Sequence, residues 1–144
     1  MNTEEIKNII GECELDGYKI CVKNNLHKVL LFLAEAYHFN MLKSITAIDL
    51  GDKTELLYDL YSVENEEDVI ISIKVEKEAE SVSDIFDSAK ADENEIYDMF
   101  GITFTGNKNL KRLYMPENWE GFPLRKDYVQ DDTRLAWNDD SNNA

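Results

Sequence analysis

The sequence is poor in residues that bind metals or form disulfide frameworks. Its 144 residues include only two cysteines, Cys13 and Cys21, and two histidines, His27 and His38. An iron–sulfur cluster normally takes about four thiolates. The histidines lie on one predicted helix at a separation of roughly 16 Å, too far to share an ion. We therefore expect no metal, cluster or other cofactor in this chain, and two free thiols of the kind found in reducing compartments.

Long apolar runs and phosphate-binding glycine motifs are also missing. No stretch approaches the roughly 20 apolar residues that cross a bilayer, and the first residues lack the apolar centre of a signal peptide. Neither GxxxxGK nor GxGxxG occurs, and no serine stands in GxSxG. These absences predict a cytoplasmic protein without direct membrane insertion and without a nucleotide site of these types.

Positive charge is scarce and unevenly placed. The formal net charge is −15, which argues against nucleic acid or anionic lipid as a partner. Residues 1–100 carry a net charge of −14, residues 101–128 carry +2 and residues 129–144 carry −3. All three arginines, Arg112, Arg125 and Arg134, lie in the last third. Arginine is favoured at contacts between chains, so the last third is where we expect a partner.

The sequence is rich, by contrast, in periodic apolar patterns. Helical spacing predicts helices over residues 2–10, 26–39, 82–90 and 93–100, with caps at Asn24 or Asn25 and at Asp92. Alternation predicts strands over residues 18–22, 42–50, 54–62 and 69–76, and a brief strand-like piece after Gly101. This order predicts a single α+β domain with a mixed or antiparallel sheet of about four strands, covered by helices on one face.

Residues 105–128, which we call the ribbon, fit neither period. Aromatic side chains alternate there with residues of fixed geometry and with cations. We expect residues 1–104 to form the core domain, the ribbon to dock on a partner, and residues 129–144 to be an acidic flexible tail. The alternative is that the ribbon wraps its own domain. Both interpretations are correct if one side of the ribbon faces the domain and the other side faces a partner. The residues of the ribbon that suggest docking are Lys111, Arg112, Tyr114, Pro116, Trp119, Gly121, Phe122, Pro123, Arg125, Lys126 and Tyr128.

Acidic residues gather on the helix before the ribbon. Asp92, Glu93 and Glu95 fall in its predicted first turn, where the helix dipole and solvation explain them. A free-standing small acidic enzyme using Asp92, Glu95 and Asp98 as acid and base is the catalytic alternative. A binding module that uses the +2 segment for nucleic acid or lipid is a third possibility.

One stretch of the sequence resembles a known family. It runs Glu95-Ile-Tyr-Asp-Met-Phe-Gly, continues through Arg112, and ends Met115-Pro-Glu-Asn-Trp-Glu-Gly-Phe-Pro-Leu-Arg-Lys-Asp-Tyr128. This pattern is similar to the signature of the C subunit of NADH-quinone oxidoreductase, which is the small hydrophilic subunit of respiratory complex I. Its relatives include the matching subunit of membrane-bound, energy-converting nickel–iron hydrogenases.

The resemblance implies a non-catalytic, cofactor-free subunit of an ion-translocating oxidoreductase at the cytoplasmic face of the membrane. It would dock on the large catalytic subunit, beside an iron–sulfur subunit. Ala91, Asp92 and Asn94 replace an aromatic pair and an arginine of the family pattern, which favours the hydrogenase-type branch. Arg112 and Arg125 are expected to pair with carboxylates or carbonyls of the partner, and Trp119 and Tyr128 to fill its pockets. The full predicted interface comprises Glu95, Tyr97, Asp98, Arg112, Pro116, Trp119, Gly121, Pro123, Arg125, Lys126, Asp127 and Tyr128.

Overall fold

The computed structural model describes Glu4, Lys7, Asn8, Cys13–Asp16 and residues 19–129. Glu4, Lys7 and Asn8 are helical, and the rest of the helix predicted over residues 2–10 lies outside the described residues. So does the predicted tail beyond Val129.

A five-stranded mixed sheet forms the centre of the domain, with strands in the order β1-β2-β5-β4-β3. The strands are β1 (Cys13–Asp16), β2 (Lys19–Val22), β3 (Met41–Asp49), β4 (Thr54–Ser62) and β5 (Glu67–Val75). All neighbours are antiparallel except β2 and β5, which are parallel. The predicted α+β class is therefore confirmed, and the sheet has a fifth strand, β1, that was not predicted from the sequence.

One face of the sheet carries the core. Leu56, Tyr58 and Leu60 of β4 alternate inward, and Val69 and Ile71 of β5 do the same beside them. Helix α1 (Leu26–Tyr37) packs its apolar stripe into the same cluster. Asn25, one of the two predicted caps, occupies the N-cap position, but its side chain makes no capping hydrogen bond. The helix ends at Tyr37 because His38 takes a left-handed conformation.

The segment over residues 82–90 does not form the predicted helix. It makes two turns, in which Val82 accepts hydrogen bonds from the backbone N–H groups of Ile85 and Phe86 at 3.1 and 2.9 Å. Val82, Phe86 and Ala89 are buried, as their spacing predicts. The chain buries them through turns, however, and not through a helix. Helix α2 begins earlier than predicted, at Ala89 with Ser88 as its cap, and ends at Phe100.

Helix α2 lies along the outer strand β3. The backbone N–H of Ile45 donates to Asp92 Oδ2 at 3.1 Å, and the hydroxyl of Ser88 donates to the carbonyl of Leu42 at 3.3 Å. The predicted capping role of Asp92 is therefore wrong, because its carboxylate binds a strand. A bulge shifts the register of β3 between Leu42 and Ser44.

A second, two-stranded parallel sheet closes the domain. It pairs β6 (Glu78–Glu80) with β7 (Thr103–Thr105), the strand-like piece expected after Gly101. Gly101 ends α2 with φ +76°, as its predicted role required. From Gly106 to Val129 the chain has no regular secondary structure.

Candidate functional site

Asp98 fixes the start of the ribbon. Its side chain is fully buried. One carboxylate oxygen accepts a hydrogen bond from Arg112 Nε at 2.6 Å, and the other accepts three backbone N–H groups, from Leu113, Tyr114 and Met115, at 3.1, 2.7 and 3.1 Å. Consecutive N–H groups turned toward one anion form a concave nest. Asp98 therefore holds both a guanidinium and a turn of backbone, which explains how an irregular segment keeps one path.

Arg112 extends this hold across the ribbon. Its Nη1 donates to the carbonyl of Trp119 at 2.7 Å, and its Nη2 donates to the carbonyls of Asp98 and Gly121 at 3.0 and 2.8 Å. The guanidinium also lies 5.1 Å from the ring centroid of Phe122. A planar group with five donors suits this task, since it binds two parts of the ribbon and the helix at once.

The later part of the ribbon is attached at the ends of α2 and β3. The N–H of Leu124 donates to the carbonyl of Met99 at 2.9 Å, and Arg125 Nη1 donates to the carbonyl of Phe100 at 3.3 Å. The N–H of Lys126 donates to Asp49 Oδ2 at 2.8 Å. That bond, with another from the Gly51 N–H, lowers the pKa of Asp49.

Both described arginines bind within their own chain. Arg112 pairs with Asp98 and with carbonyls of its own chain, and Arg125 pairs with Asp127 Oδ1 at 3.0 Å and with Phe100. The expected pairing of these two side chains with carboxylates or carbonyls of a partner stays a prediction. Sequence spacing could not show that Arg112 pairs with Asp98, because the two residues are 14 positions apart and no helix or strand period relates them.

The predicted interface residues do form one region. Tyr97 packs its ring 6.3 Å from that of Phe122. Trp119, Pro123 and Tyr128 are half-buried, while Glu95, Pro116, Gly121, Lys126 and Asp127 are exposed. All of these residues lie on α2 or on the ribbon, so the structure brings the predicted set together around the Asp98–Arg112 pair.

This region also presents exposed apolar side chains, of which the sequence singled out only Tyr114. Leu113, Leu124 and Val129 are 42%, 56% and 68% exposed, and Tyr114 is 67% exposed. The backbone N–H groups of Leu113 and Tyr114 donate to Asp98, and that of Leu124 donates to Met99, so these three side chains project from a fixed backbone. Leu113 and Leu124 follow no recognised period in the sequence.

The acids of the catalytic alternative do not form a site together. Asp92 accepts the N–H of Ile45, Asp98 accepts four donors, and Glu95 is exposed. Burial alone would raise the pKa of Asp98, but Arg112 and the three backbone N–H groups hold it below the ordinary value. Asp98 is therefore an anchoring anion that stays ionised, and this geometry does not favour a shared acid–base role.

Glu93 is fully buried, contrary to the expectation of a solvated first-turn acid. Its carboxylate accepts hydrogen bonds from the hydroxyl of Ser81 at 2.6 Å and from the N–H of Val82 at 3.2 Å. Burial nevertheless raises its pKa. The hydrogen bonds of Glu93 to Ser81 and Val82 join α2 to the end of β6, so Glu93 has a structural role. This role could not be predicted from the sequence, because it depends on how the fold brings these segments together.

Replacing Glu93 with glutamine is expected to stabilise the domain increasingly as pH rises. An acid whose folded-state pKa is raised binds more protons in the native state, so the wild type loses stability as pH climbs above about 4.3, the ordinary value for glutamate. Glutamine keeps an acceptor for Val82 and carries no charge. The expected gain at pH 8 is of the order of 1 kcal/mol, or about 2 to 5 °C in Tm.

Thermal unfolding at pH 5 and pH 8 measures this, with Glu95→Gln as the control on the exposed side of the same helix. An equal gain for both variants, or a gain independent of pH, would contradict the assignment to buried charge.

Metal-binding clusters and membrane-spanning helices are absent from the described residues. These residues include no group of three or more His, Cys, Asp or Glu side chains placed to hold a metal ion. Over the same part of the chain, no helix is both long and apolar enough to span a membrane.

The fold is shared with a solved structure. The chain is similar to a protein in the structure of the membrane-bound sulfane sulfur reductase, described as an archaeal respiratory membrane complex. The TM-score is 0.75, with 22% identity over 99% of this chain and 89% of that one. At this identity the similarity shows a shared fold.

Sequence relatives are closer. The chain is 36% identical over 108 residues to the C/D subunit of NADH-quinone oxidoreductase of Phocaeicola vulgatus, covering 72% of this chain and 21% of the relative. It is 39% identical over 102 residues to the chloroplastic J subunit of NAD(P)H-quinone oxidoreductase of Agrostis stolonifera, covering 65% and 64%. The chain thus spans about a fifth of the first relative and just under two thirds of the second.

A family model described as the 30 kDa subunit of respiratory-chain NADH dehydrogenase matches residues 20–134. That range covers most of the five-stranded sheet, helices α1 and α2 and the whole ribbon, including Asp98 and Arg112. The chain therefore belongs to the family of the 30 kDa subunit of respiratory-chain NADH dehydrogenase.

Proposed function

We propose that this chain is a non-catalytic, hydrophilic subunit of a membrane-anchored, ion-translocating oxidoreductase. The core domain expected over residues 1–104 supports residues 105–128, which dock on the large catalytic subunit beside an iron–sulfur subunit. Electrons pass through those neighbouring chains, and this chain holds them in place at the cytoplasmic face of the membrane. Family membership and the membrane respiratory complex of the structural neighbour support this proposal.

One observation carries the docking proposal: the ribbon is fixed on one side and apolar on the other. The buried Asp98–Arg112 pair holds its backbone, while Tyr114 and Leu124 expose more than half of their surface. Ordering a loop on binding costs free energy, so a segment ordered beforehand binds more tightly. Tyrosine at the centre of an interface is also among the residues that contribute most to affinity.

The charge distribution favours a partner of particular character. The ribbon and the residues before it carry a net charge of +2 on a body of −14, and Lys126 and Arg125 stand beside Leu124. A partner surface with an apolar centre and an acidic rim would complement this arrangement. Its acidic rim would be repelled by the acidic rest of the domain, so the partner would be directed to the ribbon. The replacements at Ala91, Asp92 and Asn94 support the hydrogenase-type branch over the NADH-quinone branch.

The double variant Tyr114→Ser, Leu124→Asp is expected to separate the chain from its complex. Losing two central apolar contacts should reduce the recovered large subunit at least about tenfold, since such residues each contribute about 2 kcal/mol or more. The measurement is quantitative mass spectrometry of proteins that co-purify with a tagged chain from solubilised membranes.

Val63→Asp is the matched control. Val63 is 59% exposed in the turn after β4, at the opposite end of the β3–β4 hairpin from Asp49 and the ribbon. Its variant should co-purify like the wild type, and all these surface variants should keep the wild-type Tm. Recovery of the large subunit at the wild-type level with the double variant would refute docking through the ribbon.

A further inference from the structure

A second polar region lies on the face of the sheet away from the core. A cavity of about 660 Å³ opens there over β1, β2, β5 and β4. The strand register explains its composition: Cys21 stands beside Ser72, and Glu55 stands beside Lys74, on the alternate positions that point away from Ile71 and Leu56. Cavities of this volume are the size that small molecules occupy.

The cavity concentrates cations in a chain that has few. Four lysines line it, Lys19, Lys23, Lys53 and Lys74, against two glutamates, Glu14 and Glu55. The local balance is therefore +2 in a chain of net charge −15. Lys19 Nζ lies 3.4 Å from Glu55 Oε1 and so reaches across β5, the strand between them.

Two of these cations remain available to a ligand. Within residues 19–129 and the described part of the N-terminal region, neither Lys53 nor Lys74 takes part in a salt bridge. Both are exposed at the margin of the cavity. A flexible ammonium group of this kind serves as a point charge for a phosphate or carboxylate.

Ser72 supplies an independent indication. It is 1% exposed, and its hydroxyl lines the cavity without a hydrogen-bond partner among the described residues. A buried hydroxyl left unsatisfied costs free energy, so such groups usually have a reason to persist. An oxyanion above β5 would accept this hydroxyl and meet Lys74, two residues along the same strand and on the same face.

We propose that this cavity binds a small organic anion that carries phosphate or carboxylate groups. Lys53 and Lys74 supply charge and Ser72 Oγ donates a hydrogen bond. Glu14 and Glu55 accept from hydroxyl groups of a ligand that carries them. The proposal does not depend on docking through the ribbon, because the two regions share no residue.

Calorimetric titration of the full chain tests the site, with pyrophosphate and citrate as probes at low salt. At least one probe is expected to bind with a Kd below about 1 mM, and binding should weaken as salt screens the lysines. Pyrophosphate alone identifies a phosphate ligand, citrate alone a carboxylate ligand, and both together the shared chemistry. Binding of neither probe overturns the proposal.

Three variants separate the site from general attraction. Lys74→Met should weaken binding about tenfold and Ser72→Ala about fivefold, as expected when one charged or one neutral hydrogen bond is lost. Ser72→Ala should keep or raise the Tm, because it removes an unsatisfied buried hydroxyl, so weaker binding cannot be attributed to unfolding. Lys28→Met, on the exposed side of α1, should bind like the wild type. Equal weakening by Lys28→Met would overturn the proposal.

Discussion

Replacing Asp98 with alanine is expected to release the ribbon from α2 while the sheet stays folded. The change would strand the guanidinium of Arg112, whose side chain is 9% exposed, and three backbone N–H groups. Breaking a buried pair in this way costs about 3 to 5 kcal/mol. The ribbon has no regular secondary structure to resist that loss, so we expect local opening before global unfolding.

Amide hydrogen exchange measures this opening. The amides of Leu113, Tyr114 and Met115 should lose protection together, by about two to three orders of magnitude, while the amide of Ile71 in the central strand keeps the wild-type rate. Glu95→Ala, an exposed acid on the same helix, is the control and should change none of them. Protected ribbon amides in Asp98→Ala would show that other contacts suffice to hold the ribbon.

The same pair makes the attachment of the ribbon sensitive to acid. The pKa of Asp98 is lowered in the folded state, so the native chain binds fewer protons than the unfolded chain. The stability that Asp98 contributes is therefore complete above about pH 4, the ordinary range of aspartate, and is lost as pH falls through the lowered native value. The stability that Asp49 contributes is also lost in acid, because its pKa is lowered in the folded state as well.

Replacing Gly101 with alanine is expected to lower the free energy of unfolding by about 2 to 4 kcal/mol. Gly101 has φ +76°, where a side chain is strained, and an added Cβ would lie 2.6 Å from Cδ2 and 2.7 Å from Cε2 of Phe122. The ring cannot move freely, since Arg112 lies over one side and Tyr97 packs nearby. The variant should therefore also weaken co-purification with a partner that binds the ribbon.

Gly51→Ala separates strain from steric overlap. Gly51 has φ +101°, and an added Cβ there meets no atom within 4 Å. Chemical denaturation of both variants should give a smaller loss for Gly51→Ala, of about 1 to 2 kcal/mol, from backbone strain alone. Equal losses for the two variants would mean that Phe122 does not press on Gly101.

Local patterns were sufficient for the parts of the fold that repeat. The alternation in β4 and β5 and the apolar stripe of α1 each follow from burial of one side, so their limits could be predicted within a few residues. The turns over residues 83–88 could not, because the spacing of Val82, Phe86 and Ala89 is the same whether a helix or two turns bury them. Only the contacts of the folded chain distinguish the two.

The contacts of the ribbon with its own domain could not be predicted from the sequence. Composition and the resemblance led us to expect a partner interface on the ribbon, and that interface stays a prediction. Neither could show that Arg112 faces Asp98 and two ribbon carbonyls, since pairing over such separations is set by the path of the chain. The exposed apolar residues Leu113 and Leu124 were missed because isolated leucines in an irregular segment carry no pattern.

The contacts between α2 and β3 limit how another chain can attach. β3 is the last strand of the sheet, yet its outward N–H at Ile45 and carbonyl at Leu42 are already bound by Asp92 and Ser88. An incoming peptide that sought to extend the sheet would find these groups occupied. Helix α2 therefore hinders strand pairing at Leu42 and Ile45, so that growth of an intermolecular sheet from this part of the edge is disfavoured.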